Sequence, residues 1–281
     1  MTASSEISAA DAEALLDDLT ALVARASALI RAIAAKGLTH RLKDDHSPVT
    51  AADEASESLI LEGLARLLPN VPVIAEEMAT RTVPPALGGT FLVVDPLDGT
   101  KEFLAGSDQF TVNLGIVSGG VPLAGVVAAP NRGAVWRGVV GGKAERLRLK
   151  DDGADQARPI RTRRWPERNA VALVSRSHLD PATEAYLTRL EPLTRQPSGS
   201  AIKFCQIAEG AADVYPRLST VCEWDVAAGQ ALLTAAGGIV TNPNGGPLAY
   251  GRIAENFRVA AFIAWGDPEK CHSVMKGSVI G

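Results

Sequence analysis

Apolar residues at Leu15, Leu19, Leu22, Ala26, Leu29 and Ile33 recur every three or four positions. That spacing forms one face of an amphipathic helix, and Gly37 supplies its stop. A polar loop follows, Lys43-Asp44-Asp45-His46-Ser47-Pro48. Thr50 then has the chemistry of an N-cap for a second helix, whose apolar face is Leu59, Ile60, Leu64, Leu67 and Leu68 and whose end is Pro69-Asn70. Beyond it the period shortens. Residues 71–75 and 90–94 are apolar runs of strand length, and they deliver the chain into acids, Glu76-Glu77 and Asp95. Residues 110–117, 123–128 and 134–140 predict three more strands separated by Gly, Pro and Asn turns. Their short connections imply antiparallel pairing.

Residues 143–168 break this pattern. They carry nine bases and five acids among Gly, Pro and Gln. The expectation is a solvated surface connection between two halves; a basic patch for nucleic acid is the other reading. Downstream, strands are expected at 171–174, 212–215, 239–241 and 259–264. Helices are expected at 181–190, 202–209, 225–236 and 268–276, with Gly210 and Gly237-Gly238 as stops. Such alternation implies helices packed on sheets. The chain divides on this reading into an N-terminal α+β half, 1–165, and a C-terminal α/β half, 166–281.

The length of 281 residues allows two domains, and 46% hydrophobic with 21% charged residues is a globular composition. Whole-chain disorder, collagen-like repeats and a disulfide scaffold are excluded. Lys plus Arg total 28 against 32 Asp plus Glu, a net charge of −4. This argues against a dedicated nucleic-acid site, which would be basic. Cys205, Cys222 and Cys271 are odd in number and match no zinc spacing, so reduced thiols in a cytoplasm are expected. Residues 1–18 hold five acids and no base, unlike a signal peptide. No run approaches the length of a membrane span.

The informative segment is Asp95-Pro96-Leu97-Asp98-Gly99-Thr100-Lys101-Glu102-Phe103. Asp95 is expected at the end of a strand, with Asp98 across a Pro-containing turn. Two carboxylates and the Leu97 carbonyl could then share one point, and oxygen donors are what Mg²⁺ prefers. Gly99 lets the backbone approach a ligand, and a helix starting at Thr100 would turn free N–H groups toward a phosphate. Asp, Pro and Gly also make ordinary turns. A chance match to the five fixed positions of Asp-Pro-x-Asp-Gly-Thr, however, is on the order of 10⁻⁴ for this length.

That hexapeptide resembles the signature of the inositol monophosphatase superfamily of Mg²⁺-dependent, lithium-sensitive phosphomonoesterases. Three other stretches resemble family motifs in the right order: Thr50-Ala51-Ala52-Asp53, Glu76-Glu77, and Glu223-Trp224-Asp225-Val226-Ala227-Ala228-Gly229 with Ala236-Gly237-Gly238 after it. Lys101-Glu102-Phe103, Ser175-Arg176-Ser177-His178, Gly199-Ser200-Ala201-Ile202-Lys203-Phe204-Cys205 and Ala212-Asp213-Val214-Tyr215-Pro216-Arg217 resemble segments of the CysQ-type 3′(2′),5′-bisphosphate nucleotidases within it. Ala201 stands where that group commonly has a second Ser.

The resemblance implies a layered α/β/α/β/α sandwich of the inositol monophosphatase/fructose-1,6-bisphosphatase type. It implies removal of the 3′-phosphate from adenosine 3′,5′-bisphosphate, and also from 3′-phosphoadenylyl sulfate, by attack of an activated water. From the bisphosphate the products are AMP and phosphate, in sulfur assimilation. An inositol or sugar monophosphatase is the alternative, and a binding partner in RNA or transcription complexes a third reading. Two or three Mg²⁺ ions are expected. By the resemblance Asp95 would bridge two of them, Glu76 would serve the first and Asp98 and Asp225 the second, with an oxygen added by the Leu97 carbonyl.

Thr100 and Asp53 resemble the pair that activates the water. Glu77 is either an outer partner of the ligands or part of a further metal site. Gly99, Thr100, Lys101, His178, Ser200, Lys203 and Arg217 are the expected substrate contacts. Plainer roles stand beside these: Asp53 and Asp225 as helix caps, Lys203 on a solvated helix face, and Arg217 paired with Asp213. The expected setting is the cytoplasm, free or peripheral to the inner membrane, as monomer or homodimer.

Overall fold

The computed structural model describes residues 6–37, 40–42, 48–79, 87–176 and 179–277. Helix α1 (Ala9–Ala34) begins earlier than its apolar repeat, because Ser8 and Asp11 form a reciprocal capping box. A short hairpin, β1 (His40–Leu42) and β2 (Pro48–Thr50), leads into α2 (Ala51–Leu67), capped by Thr50 as expected. The chain continues through β3 (Val73–Ala75), α3 (Glu76–Ala79), β4 (Thr90–Asp98), α4 (Thr100–Leu104), β5 (Thr111–Ser118), β6 (Val121–Ala129) and β7 (Ala134–Val139).

Residues 143–168 are not simply a connection. They contain β8 (Ala144–Leu149) and β9 (Ala154–Pro159), which complete a seven-stranded sheet in sequential order from β3 to β9. All its pairs are antiparallel except β3 with β4. Most of the charges that suggested a linker lie on or beside a hairpin. Leu147 and Leu149 are buried while Arg148 is exposed and pairs with Asp155 across the hairpin at 2.7 and 2.8 Å. Arg146 lies over the Trp136 ring and meets Glu209 at 3.3 Å.

The remaining chain is β10 (Ala170–Ser175), α5 (Pro181–Thr188), β11 (Leu193–Ser198), α6 (Ile202–Ala208), β12 (Val214–Arg217), β13 (Val221–Cys222), α7 (Glu223–Ala235), β14 (Ile239–Thr241), β15 (Arg258–Val259), β16 (Phe262–Trp265) and α8 (Pro268–Gly277). Five of these strands form a second sheet in the order β11-β10-β12-β16-β14. Strand β11 has no sequence signature; it is a half-polar edge strand, Leu-Thr-Arg-Gln-Pro-Ser. The continuous run expected at 259–264 is two strands, β15 pairing with β13 and β16 entering the second sheet.

Helices α1 and α2 bury their apolar faces on one side of the seven-stranded sheet. On its other side α6 and α7 share a core with both sheets, and a third cluster sits under α5 and α8. The layers run α/β/α/β/α. No helix among the described residues is long and apolar enough to cross a membrane.

Helix α7 can lie where it does because of three glycines. Gly115, Gly125 and Gly138 are consecutive cross-strand neighbours on β5, β6 and β7. A Cβ on Gly125 would stand 2.1 Å from the carbonyl oxygen of Ala228, and one on Gly138 2.9 Å from the Ala235 Cβ. The row is a trough into which the helix backbone sinks. Gly125→Ala therefore forces α7 off the sheet. We expect a loss of about 3 kcal/mol in denaturant unfolding, the upper range for an overpacked core; a change below about 0.5 kcal/mol would show that the close approach is not needed.

Candidate active site

Asp95 and Asp98 are three residues apart, a spacing that in a regular strand sends side chains to opposite faces. Strand β4 does not end at Asp95, as the sequence suggests, but runs on to Asp98 with an irregularity. Asp95 pairs with Asn113 and Asp98 with Thr111, three steps on β4 against two on β5. The extra residue is a β-bulge, which turns Asp98 back to the side of Asp95. Pro96, without an N–H, suits it. The Leu97 N–H leaves the ladder and donates to Asp95 Oδ1 at 3.0 Å.

Asp225 arrives on α7. Its Oδ2 accepts the Cys222 N–H at 2.7 Å, so it does support the helix start, though the helix opens two residues before it, at Glu223. The cap role and the site role coexist. Carboxylate oxygens of Asp95, Asp98 and Asp225 all lie within 4.8 Å of one another. Asp95 is 1% exposed, and its Oδ2 is buried with no hydrogen-bond partner among the described residues. Asp98 Oδ2 accepts the Ala201 N–H at 2.6 Å, with Thr111 Oγ1 at 3.4 Å and Asn113 Nδ2 at 3.5 Å. Burial holds all three acids above their ordinary range. Glu76, Asp98 and Asp225 add repulsion at Asp95. Asp98 is pushed up to about 7 by burial and Asp225, against the pull of Lys203 and the Ala201 N–H. Asp225 is raised by burial, opposed first by the Cys222 N–H.

A partnerless buried carboxylate oxygen inside a cluster of like charges is what a cation repairs. The donors are hard oxygens, which fit Mg²⁺, Mn²⁺ or Ca²⁺ and not a soft metal. These residues fit a metal site. Glu76, half-buried at the start of α3, and Leu97 line the same cavity of about 310 Å³. Glu77 does not; it is 4% exposed and its N–H donates to Glu57 Oε2 at 2.8 Å.

Asp53 faces the same region from α2. Its Oδ2 accepts the Thr50 N–H and hydroxyl at 2.8 and 2.6 Å, and its Oδ1 accepts the Thr100 hydroxyl at 3.2 Å. One carboxylate thus caps the helix and holds Thr100. Burial raises its pKa, while the bonds from Thr50 and Thr100 oppose the rise. The Thr100 hydroxyl also lies 3.3 Å from the Leu97 carbonyl oxygen. Its single proton serves one of the two acceptors at a time.

Gly99, Thr100, Lys101, Ser200, Lys203 and Arg217 all line the cavity. Gly99 has φ +92, the left-handed region, and caps α4. Arg217 does not pair with Asp213, which is taken by Arg163 at 2.7 and 2.8 Å. Its Nε is buried without a partner among the described residues. Lys203 is not on a solvated face; it is 3% exposed. His178 and residues 43–47 lie outside the described residues.

The sequence reading missed several supports. Ser56 donates to the Pro96 carbonyl oxygen at 3.0 Å and so fixes the bulge from α2. Asp53, Ser56 and Glu57 are all buried and continue the stripe of Ile60 and Leu64, so the helical period held the signal in polar letters. Tyr215, Phe204 and Phe262 also line the cavity, with ring centroids 5.1 to 5.5 Å apart.

The pattern of the Inositol monophosphatase family matches residues 11–269. The chain is 39% identical over 208 residues to the 3′(2′),5′-bisphosphate nucleotidase CysQ of Escherichia coli K12, covering 74% of this chain and 81% of that protein. Among solved structures it is similar to CysQ from Bacteroides thetaiotaomicron, at 32% identity and TM-score 0.72 over 92% of this chain and 97% of that one. It is also similar to an inositol monophosphatase from Anabaena, at 27% identity and TM-score 0.72 over 94% and 96%.

The raised carboxylates set the sign of a pH effect. A group whose folded pKa lies above its unfolded value, about 4 for Asp, stabilises the fold below that value. It loses this contribution as pH rises through the folded value, about 7 for Asp98. Lys203, pulled down to about 8 by burial, stays charged in that window. Metal-free protein should therefore lose several degrees of Tm between pH 5 and pH 7.5, and saturating Mg²⁺ should stabilise more at pH 7.5 than at pH 5. Mg²⁺ stabilisation independent of pH would contradict the site.

Proposed function

The chain belongs to the inositol monophosphatase family, and on that premise we propose that it removes the 3′-phosphate of adenosine 3′,5′-bisphosphate, and of 3′-phosphoadenylyl sulfate, with Mg²⁺ as cofactor. One observation carries the reading to a substrate with two phosphates. A single cavity is lined both by the carboxylate cluster and by Arg217, whose buried Nε still has a hydrogen bond to give. The curated relatives named as 3′(2′),5′-bisphosphate nucleotidases support the same substrate class.

Asp95, Asp98 and Asp225, with Glu76 and the Leu97 carbonyl, would hold Mg²⁺, which when bound would supply charge neutralisation for the phosphoryl oxygens and acidify a water. The chain's own groups do the rest. Thr100, donating its proton to Asp53 Oδ1, keeps a hydroxyl lone pair free to accept a hydrogen from the attacking water. Asp53, raised by burial, is the general base that takes up the proton through it. Gly99, Thr100 and Lys101 receive the phosphate to be cleaved. Arg217 holds the phosphate that is kept, because a guanidinium offers a fork to it, and Ser200 meets the sugar. His178 is assigned to the substrate from its motif. Glu77 acts behind the ligands, through α3. Metal ligation then falls mostly in residues 1–165 and substrate choice in 166–281. Recycling of such a nucleotide suits a cytoplasmic place in sulfur assimilation.

Asp95→Asn should cut phosphate release by at least 10²–10³-fold, the typical loss of one electrostatic support. Its metal-free Tm should hold or rise, since a repelling charge leaves the cluster. Near-normal turnover with Mg²⁺ would remove Asp95 from the mechanism. Phosphate release measured side by side should favour adenosine 3′,5′-bisphosphate over inositol 1-phosphate by at least tenfold. The reverse preference would keep the metal site and discard the assignment of Arg217.

A further inference from the structure

The protein itself surrounds the ammonium group of Lys203. Nζ donates to the Ser198 carbonyl oxygen at 3.1 Å and to the Ser200 carbonyl oxygen at 2.8 Å. It also lies 4.9 Å from the centroid of the Tyr215 ring, within cation–π range. An ammonium has three N–H donors and no more. Two carbonyls and an aromatic face leave little for a phosphate.

The two carbonyls belong to an unusual turn. Ser200 has φ +48, a left-handed conformation that residues with a Cβ adopt at a cost. Gly199 is pressed against β5's approach: its N–H donates to Gln109 Oε1 at 2.8 Å, and a Cβ there would lie 2.7 Å from the Gln109 carbonyl oxygen. The next N–H along, that of Ala201, makes the 2.6 Å bond to Asp98 Oδ2. Lys203 ties the carbonyls on both sides of Gly199 to one point, and so holds the strained turn that aims the Ala201 N–H.

We propose that Lys203 is a positioning residue of the metal site: it clamps the turn at 198–201 so that the Ala201 N–H fixes one oxygen of Asp98 and leaves the other for the cation. This rests on the reading of Asp95, Asp98 and Asp225 as metal ligands. It departs from the expectation that Lys203 binds a substrate phosphate.

Calorimetric titration of Mg²⁺ into the substrate-free protein separates the two roles. Lys203→Met should weaken Mg²⁺ binding about ten- to a hundredfold, the usual cost of losing an outer support of a ligand. At saturating Mg²⁺ its KM for adenosine 3′,5′-bisphosphate should stay within about threefold of wild type, with most of kcat restored. Adding Ser200→Gly should recover part of the lost affinity, because glycine takes the left-handed φ without a clamp. Lys203→Gln keeps an amide donor for one carbonyl; it should fall between, and it carries the comparison if the Met variant does not fold. Undiminished Mg²⁺ affinity with a KM raised tenfold or more would overturn the proposal and make Lys203 a phosphate ligand. Failure of the wild type to bind Mg²⁺ would strike at the function reading itself.

Discussion

Three carboxylates, Asp95 buried and Asp98 and Asp225 half-buried, hold oxygens within 4.8 Å of one another and repel, and the rest of the structure is arranged around that repulsion. Removing such charges from water costs several kcal/mol each unless something compensates. The fold supplies partial compensation. Backbone N–H groups of Leu97, Ala201 and Cys222 each reach one of the three acids. None of them reaches Asp95 Oδ2. The cluster is left under tension that a cation would relieve.

Holding that tension requires rigid supports from distant parts of the chain. The bulge in β4 puts Asp95 and Asp98 on one side, and Ser56 pins it from α2. The trough of Gly115, Gly125 and Gly138 lets α7 carry Asp225 against the sheet. Gly229 on the same helix lies against the Phe204 ring, and Phe204 packs on Tyr215 and Phe262 in the cavity wall. Packing of the central helices and geometry of the site are therefore one problem: what fixes α7 also fixes Asp225.

The sequence made some of this legible and hid the rest for physical reasons. Long helices with an apolar period, such as α1 and α2, were readable because burial on one face leaves a 3.6-residue mark. The acids at 95, 98 and 225 were readable as candidates because two ordered motifs, Asp-Pro-x-Asp-Gly-Thr and Trp-Asp-x-Ala-Ala, carry them. The way they meet was not. A bulge has no letter of its own, and Asp-Pro-Leu-Asp reads as a turn as easily as a bent strand. Strands β8 and β9 were hidden because their outward charges pair across a hairpin, and composition counts charges without seeing partners. Strand β11, at an edge, needs few apolar residues. The burial of Lys203 was not legible because a helix of seven residues, Ile202–Ala208, is too short to show which face is wet.

The proposed chemistry depends on a cation resting between these carboxylates. Crystals grown with Mn²⁺, read by the anomalous signal of the metal, test it most directly. A peak is expected within coordination distance of Asp95 Oδ2, Asp98 and Asp225, with the Ala201 N–H still on the far oxygen of Asp98. A map at saturating Mn²⁺ with no peak there, or with its peak away from Asp95, would contradict it.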